Sequence, residues 1–351
     1  MTMRYRLLGR SGLRVSELAL GTMTFGPEWG WGANAEESRR MFDAFAEAGG
    51  NFLDTANRYT EGTSERIVGD CVAADRDHWV VATKYTLFSR KGDPNLSGNH
   101  RKNLRQSLDA SLKRLRLEYV DLLWVHAWDF TTGVDEVMRG LDDMVRQGKV
   151  LYLGISDTPA WVVSQSNMLA DLRGWTPFTA LQLRYSLIDR SAERDLLPMA
   201  RALDLAVTPW SVLAAGVLSG KYNATDSIAS GRARDGAARV ERNRRIAEVV
   251  LDVARALGCS ASQVAIRWAM QQPGVVIPIV GSRTADQLRD NLGAVAVNLE
   301  AGQLRQLEEA SAIELGFPHD FLTQDPIRDL IYGGTQGQLE VHRGLLKPEW
   351  R

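Results

Sequence analysis

The 351-residue chain has few cysteines and no excess of charge of either sign. Its two cysteines, Cys71 and Cys259, are too few and too far apart to predict a disulfide framework. The net charge of -1 argues against a nucleic-acid partner, because proteins that bind the phosphate backbone normally carry a basic excess. The sequence gives no reason to expect a metal site.

Long apolar runs are also missing. No stretch approaches the roughly 18 consecutive apolar residues that a membrane-spanning helix needs, and the start "MTMRYRLLGRSG" lacks the apolar core of a signal peptide. With 44% hydrophobic and 24% charged residues, the composition is that of an ordinary globular protein. We therefore expect a soluble, cytoplasmic protein with no membrane partner.

Short apolar runs, in contrast, recur along the whole chain with amphipathic segments between them. Runs this short and this continuously apolar are typical of strands buried on both faces, as parallel strands are. The predicted strands are residues 17–22, 50–55, 79–84, 120–126, 150–156, 179–183, 205–210 and 275–281.

The segments between these strands have helical periodicity. Apolar residues from Val134 to Val145 fall on one helical face, and the "RQGK" that follows is typical of a helix end. Alternation of strands and helices predicts a (β/α)8 TIM barrel rather than an open doubly wound sheet. Residues 4–18 predict an N-terminal β-hairpin that closes the barrel bottom. We expect one domain over 1–351, with 316–351 as a C-terminal extension folded over the barrel mouth.

Each predicted strand ends on or just before a polar or aromatic side chain. In this barrel class the active site lies at the rim formed by the carboxyl ends of the strands. Taken singly, an aspartate there caps a helix, a lysine is solvated and a histidine or tyrosine packs. Together they are expected to meet at one mouth; the residues are Asp54, Lys84, His126, Ser156 with Asp157, Gln182, Trp210 and Ser282.

Three of these residues, Asp54, Lys84 and His126, together with Tyr59 just beyond the second strand, predict a site for proton transfer. A tyrosine has a pKa near 10, and a cation within hydrogen-bonding distance lowers it by about 1–3 pH units. We therefore expect Lys84 to lower the pKa of Tyr59 while Asp54 neutralises and orients the lysine. Tyr59 would act as general acid or base, worth about 10²–10⁴ in rate. His126 offers a neutral N–H donor to align a carbonyl oxygen.

The segments "DTANRY", "ATK" and "DLLWVH" resemble the catalytic tetrad motifs of the aldo-keto reductase superfamily, in that family's order and spacing. The resemblance extends from about Leu8 to Phe321. It implies hydride transfer from a nicotinamide to an aldehyde or ketone, reversibly, with a small carbonyl compound or alcohol as substrate. It also implies that Tyr59 is the general acid, tuned by Lys84 and Asp54, and that His126 orients the carbonyl.

The cofactor signals follow from the same resemblance. No G-x-G-x-x-G follows a strand, so a Rossmann module is not expected, and "GVLSGK" departs from a P-loop in its spacing. The resemblance implies that 210–222 wraps the pyrophosphate and that Trp210 lies against the nicotinamide, although a core tryptophan is the alternative. Ser156 and Gln182 match positions that hold the carboxamide. Asp157 replaces the commoner asparagine there.

Residues 281–291 resemble the family's adenosine-phosphate segment. Arg283 precedes a helix that starts near Ala285, where backbone donors and the helix dipole favour a phosphate, so the ribose 2′-phosphate of NADP(H) is the expected ligand. Arg232 or Arg234 is a weaker candidate for a second phosphate contact. The remaining implied cofactor contacts are Thr22, Met23, Asp54, Ser211, Leu213, Ala215, Lys221, Gly281, Ser282, Gln287, Asp290 and Asn291.

Aromatic residues in the loops leave the substrate open. Trp29, Phe88 and Trp128 are candidate pocket walls for an apolar or aromatic carbonyl compound, or they stabilise their loops by packing. The tail could close the pocket or form a subunit contact, and the oligomeric state is not decided by the sequence.

Two alternative functions remain open. The first is a cofactor-sensing subunit like the potassium-channel β subunits, which share a pair like Trp210-Ser211 but commonly have asparagine where His126 stands here. The second is a barrel lyase that uses Lys84 as a Schiff-base nucleophile.

Overall fold

The computed structural model describes residues 3–220 and 241–340. The chain begins with an antiparallel hairpin of β1 (Tyr5–Leu7) and β2 (Arg14–Ser16), as predicted. Between the strands, Gly9 has φ +56° and packs so tightly that a Cβ there would lie 2.3 Å from the carbonyl oxygen of Thr179. Thr179 lies near the amino end of a barrel strand, so the hairpin covers that end of the barrel, with Leu8 buried beneath it.

All eight predicted barrel strands form. They are β3 (Ala19–Gly21), β4 (Phe52–Asp54), β5 (Val80–Tyr85), β6 (Val120–Val125), β7 (Val150–Ser156), β8 (Phe178–Arg184), β9 (Ala206–Trp210) and β10 (Ile279–Val280). The strands are parallel and follow the order β10-β3-β4-β5-β6-β7-β8-β9. The TIM-barrel prediction is therefore confirmed.

The barrel closes between β9 and the segment before β10. The N–H of Val207 donates to the carbonyl of Val275 at 2.7 Å, and the N–H of Ile277 donates back to Val207 at 2.8 Å. Pro278 then follows and has no N–H to donate, so the regular ladder covers only two residues of the longer predicted run.

Helices surround the barrel and most lie between successive strands. Side-chain caps explain several starts, since Asn34, Ser260 and Thr284 each accept a hydrogen bond from a backbone N–H of the first turn. The helices are α1 (Ala35–Glu47), α2 (Thr63–Val72), α3 (Arg101–Leu115), α4 (Val134–Arg146), α5 (Ala160–Arg173), α6 (Leu196–Ala202), α7 (Glu241–Leu257), α8 (Ala261–Met270), α9 (Ala285–Leu292) and α10 (Ala301–Ser311).

The C-terminal extension continues with two short helices, α11 (His319–Leu322) and α12 (Asp325–Tyr332). Apolar side chains here are strongly exposed, with Phe317 at 83% and Leu330 at 78% of their accessible surface. Placement of this segment over the barrel mouth stays a prediction.

The alternation of side chains along each strand divides the barrel interior into two halves. The lower interior, toward the hairpin, is an apolar cluster of Leu8, Val15, Ala19, Phe52, Val80, Ala82, Leu122, Trp124, Ala180, Ala206 and Ile277. Two residues further along the same strands, the inward positions are polar, because successive inward side chains are spaced by two. This upper interior holds Asp54, Lys84, Ser156 and Gln182, all buried.

Within the described residues, no single helix is long and apolar enough to cross a membrane. Helices α7 and α8 together pass that test by length and composition, but they are bent by 98°.

Candidate active site

Lys84 is the centre of the upper interior. Its side chain is fully buried at the end of β5, and its ammonium group donates three hydrogen bonds. The acceptors are Asp54 Oδ2 at 2.5 Å, the backbone oxygen of Thr55 at 2.8 Å and the Tyr59 hydroxyl at 3.2 Å. All three ammonium protons have partners, so the buried charge is both neutralised and oriented.

Asp54 connects this lysine to the opposite side of the barrel. Its second oxygen, Oδ1, accepts a hydrogen bond of 3.0 Å from the side-chain amide of Gln182 on β8. The backbone oxygen of Asp54 accepts from both the N–H and the hydroxyl of Thr22, each at 3.0 Å. Met23, the predicted cofactor contact next to Thr22 in the chain, is half-buried. Asp54 is therefore held in one orientation from two directions.

Burial and the neighbouring charges together determine the protonation states of Lys84 and Tyr59. Burial lowers the pKa of Lys84, but the charge of Asp54 and the contact with Tyr59 outweigh it, so the pKa is raised. The pKa of Tyr59 is also raised, mainly by burial, although Lys84 opposes this. The predicted lowering of the Tyr59 pKa was therefore wrong in its net direction, because desolvation exceeds the effect of the cation. Tyr59 is a protonated donor at neutral pH.

His126 follows β6 and faces the phenol. The two rings meet edge-on, with centroids 6.0 Å apart and planes at 81°. Burial, and then the charge of Lys84, lowers the pKa of His126 to about 3. The imidazole is therefore neutral, as predicted, and its Nδ1 is buried with no hydrogen-bond partner in the described part of the chain.

The loop that carries Tyr59 has an unusual backbone. Thr60, Glu61 and Gly62 all have positive φ, at 45°, 55° and 86°. A β-branched residue is seldom found there, and such strain is concentrated at functional sites. The Thr60 hydroxyl donates to the carbonyl of Phe25 at 2.6 Å and stabilises the turn. Sequence reasoning missed Thr60, for which only the glycine two residues later was a signal.

Two hydroxyl groups in the upper interior have no partner. Ser156 Oγ on β7 and Thr208 Oγ1 on β9 are buried and make no hydrogen bond within residues 3–220 and 241–340. Buried polar groups are normally satisfied, so a polar ligand in the mouth would supply what they lack. A carboxamide, which both donates and accepts, fits this requirement.

Trp210 and Asp157 form a contact that the sequence did not predict. The indole N–H of Trp210 donates to Asp157 Oδ1 at 3.1 Å, and the guanidinium carbon of Arg184 lies 5.4 Å from the Trp210 ring centroid. Trp210 is half-buried at the rim, so it is not a core tryptophan. Arg184 was missed because its role depends on the spacing between β8 and β9.

The loop after β9 supports an anion site. Ser211, Ala214, Ala215 and Gly216 have φ of 62°, 46°, 55° and 91°. When left-handed and right-handed residues follow one another, their backbone N–H groups point into a common concave surface that favours anions. Leu213 lies half-buried among them. These features fit a pyrophosphate. Further predicted contacts, Lys221 and Arg232 or Arg234, lie outside the described residues.

The segment after β10 is also ordered by side-chain contacts. Buried Ser282 accepts from the amide of Asn291 at 3.0 Å, and its carbonyl accepts from Thr24 at 2.7 Å. The side chain of Asp290 accepts from Ser260 at 2.9 Å, at the start of α8. Asn291 and Asp290 therefore also stabilise the site internally, whereas Gly281 is exposed.

At the start of α9, Arg283 is exposed and its backbone N–H donates to Gln287 Oε1 at 3.1 Å. Glu37 was not foreseen: its carboxylate accepts from the N–H of Ala285 at 2.6 Å. The contact follows from the closed barrel, which makes α1 and α9 neighbours. The predicted barrel topology could therefore have indicated it. Among residues 3–220 and 241–340 the guanidinium of Arg283 has no hydrogen-bond or ion-pair partner.

The predicted substrate residues separate into two groups. Trp29 lies edge-on to Tyr59 at 6.5 Å, and its indole N–H donates to Glu61 at 3.1 Å. Phe88 packs under the guanidinium of Arg58 at 4.5 Å. Trp128 instead lines a cavity of 530 Å³ between α4 and α5, whose walls include none of the tetrad residues.

Comparison with known proteins identifies the family of the chain. A sequence model of the Aldo/keto reductase family matches residues 17–312. Norsolorinic acid reductase of Aspergillus flavus is 41% identical over 333 residues, which cover 92% of this chain and 84% of that protein. Aryl-alcohol dehydrogenase [NADP(+)] of Phanerodontia chrysosporium is 40% identical over 329 residues, 88% of this chain and 86% of that protein. The chain belongs to the aldo/keto reductase family, oxidoreductases that act on small carbonyl compounds with a nicotinamide cofactor.

Proposed function

We propose that this chain is an NADP(H)-dependent reductase of aldehydes or ketones that also runs in the direction of alcohol oxidation. The observation that carries the proposal is the hydrogen bonding of Lys84, which contacts Asp54 and the Tyr59 hydroxyl together. A phenol held by a charged lysine, beside a neutral histidine, is suited to giving a proton to a developing alkoxide.

The residues of the chain have separate roles in this proposal. The bound nicotinamide supplies or accepts the hydride. The Tyr59 hydroxyl, protonated at the start, donates its proton to the carbonyl oxygen, and Lys84 stabilises the phenolate that remains. His126 is neutral and so orients the oxygen by hydrogen bonding without taking its proton. Asp54 keeps Lys84 charged in a site from which water is largely excluded.

The cofactor assignment rests on features at three places in the structure. Ser156 on β7 and Thr208 on β9, whose hydroxyls lack a partner within the described residues, suit the carboxamide, and the left-handed residues after β9 suit the pyrophosphate. Arg283, exposed at the start of α9, suits the 2′-phosphate. Arg283→Ala should weaken NADPH about tenfold more than NADH, as a charged hydrogen bond is lost. Arg289→Ala on the same helix is the matched control.

An aromatic carbonyl compound is the proposed substrate class. Trp29 presents its ring next to the Tyr59 phenol, where a flat substrate would pack. The relatives named norsolorinic acid reductase and aryl-alcohol dehydrogenase are consistent with this class. A panel of aromatic and aliphatic aldehydes, ketones and alcohols, followed by NADPH absorbance, tests it; faster turnover of the aliphatic compounds would reject it.

Tyr59→Phe is the test of the mechanism. It removes the proton donor and should lower turnover by about 10²–10⁴, while the NADPH dissociation constant changes little. Tyr5→Phe is the matched control, because the Tyr5 hydroxyl donates to the carbonyl of Gly49, away from the mouth on the hairpin side. Wild-type turnover in Tyr59→Phe would refute the assignment.

The Schiff-base alternative makes a different prediction for Lys84. A nucleophilic lysine must lose its proton, but the contacts of Lys84 raise its pKa and favour the charged form. Borohydride should therefore trap no carbonyl adduct on Lys84, and mass spectrometry of the treated protein checks this.

A further inference from the structure

Asp157 is a carboxylate residue at the mouth that the proton-transfer mechanism does not use. The charge of Lys84 is neutralised by Asp54, and Tyr59 and His126 are uncharged at neutral pH. These four residues therefore contribute no net charge. Asp157 adds a negative charge to the same mouth, and it is close enough for its charge to act on Tyr59.

Asp157 is held in a defined position. It follows β7 with φ 42°, its N–H donates to the carbonyl of Gln182 at 3.2 Å, and its Oδ1 accepts from the Trp210 indole at 3.1 Å. The residue is exposed at the rim of the mouth. The pKa of Asp157 is raised, because desolvation by the surrounding protein outweighs the opposing effects of the Trp210 hydrogen bond, Lys84 and Arg184.

The nearby arginine does not neutralise this carboxylate by direct contact. The guanidinium of Arg184 lies over the Trp210 ring and pairs with Asp189 at 3.2 Å. The carboxylate of Asp157 is thus held at the rim of the mouth by a neutral indole donor. A charge that is held in place acts on the charge of a neighbouring ligand without needing to rearrange.

We propose that Asp157 discriminates between the two redox states of the nicotinamide and stabilises the positively charged, oxidised ring. The inference rests on the proposed function, because it requires the nicotinamide to lie beside Ser156 and Trp210. The reduced ring is neutral and the oxidised ring carries one positive charge. Asp157 therefore tightens NADP⁺ relative to NADPH and stabilises the charge that develops as hydride leaves the reduced ring.

The test is the ratio of two dissociation constants. Isothermal titration calorimetry at pH 8 gives the constants of NADP⁺ and NADPH for the wild type, Asp157→Asn and Asp157→Ala. Asparagine keeps an acceptor for Trp210 and tolerates the left-handed backbone, whereas alanine removes the hydrogen bond as well. Asp171→Asn is the matched control, since Asp171 lies on the outer helix α5 and pairs with Arg10 of the hairpin.

Loss of the charge should raise the constant for NADP⁺ over that for NADPH about tenfold in both Asp157 variants, and leave the ratio unchanged in Asp171→Asn. If both constants rise by the same factor, Asp157 only shapes the site, and the inference is overturned while the cofactor assignment stands. If the wild type binds neither nucleotide, the cofactor assignment fails and the inference fails with it.

Discussion

The upper and lower interiors are built on the same strands yet contain opposite kinds of side chain. In the lower interior Phe52, Val80 and Ala82 pack with the hairpin, and the cluster is apolar. Two residues further along, the same strands present Asp54 and Lys84. The strand frame fixes where a side chain points, and the residue type decides whether that position stabilises the fold or serves chemistry. The two halves should therefore respond differently to substitution.

Lys84→Met is expected to have the largest effect. It leaves Asp54 buried without its cation, which should cost about 3–5 kcal/mol of unfolding free energy, and it should lower turnover by at least about 10². Urea denaturation and NADPH-linked turnover measure the two losses. This variant tests whether the upper interior depends on charge pairing.

The double variant Lys84→Met with Asp54→Asn separates stability from activity. The asparagine keeps an acceptor for the Gln182 amide and removes the unpaired charge, so most of the stability should return. Turnover should not return, because the phenol still lacks its cation. Recovery of both would mean that the pair serves the fold alone and would remove the contrast between the two halves.

Gly154→Ala addresses the lower interior. Gly154 pairs in register with Trp124, and a Cβ there would lie 2.3 Å from the Trp124 ring. The ring is fully buried and cannot move away freely, so the variant should lose about 1–3 kcal/mol. Turnover per folded molecule should stay close to wild type, which denaturation and active-site titration together would show.

The control for this substitution is Gly302→Ala on α10, where an added Cβ meets nothing within 4 Å. It should be neutral or stabilise by up to about 1 kcal/mol. Equal stability losses in both glycine variants would show that the Trp124 contact is not the cause of the loss in Gly154→Ala.

The strands and the tetrad were predictable because they depend on pattern and order. Continuous apolar runs revealed the strands, and the polar residue that ended each run revealed the rim, as with Lys84 after "WVVAT". The positive φ of Thr60 was not predictable, because backbone sign depends on the contact of its hydroxyl with Phe25. The prediction of a lowered Tyr59 pKa failed for a related reason. The sequence does not give the depth of burial, and here the effect of burial on the pKa outweighs that of the cation.

Interactions between strands distant in sequence were also hidden. The hydrogen bond from Gln182 to Asp54 crosses the barrel between residues 128 positions apart. Trp210 and Asp157 were each recognised as rim residues, but their contact depends on side-chain direction. The order of residues in the sequence predicted which residues lie at the mouth, but it could not predict which of those residues contact one another.

The smallest predicted effect concerns the pH dependence of stability. The folded pKa of His126 is about 3, below the value of roughly 6.5 expected in the unfolded chain. The unfolded state therefore binds more protons between these values, and unfolding free energy should fall as pH drops below about 6.5, with a slope approaching about 1.4 kcal/mol per pH unit. His126→Asn removes this group, so its stability should fall less steeply over the same range in urea titrations from pH 7 to pH 5. Since carboxylates shared by both proteins cancel in the difference, parallel curves would show that folding does not lower the pKa of His126, and the burial of a neutral imidazole beside Tyr59 would have to be abandoned.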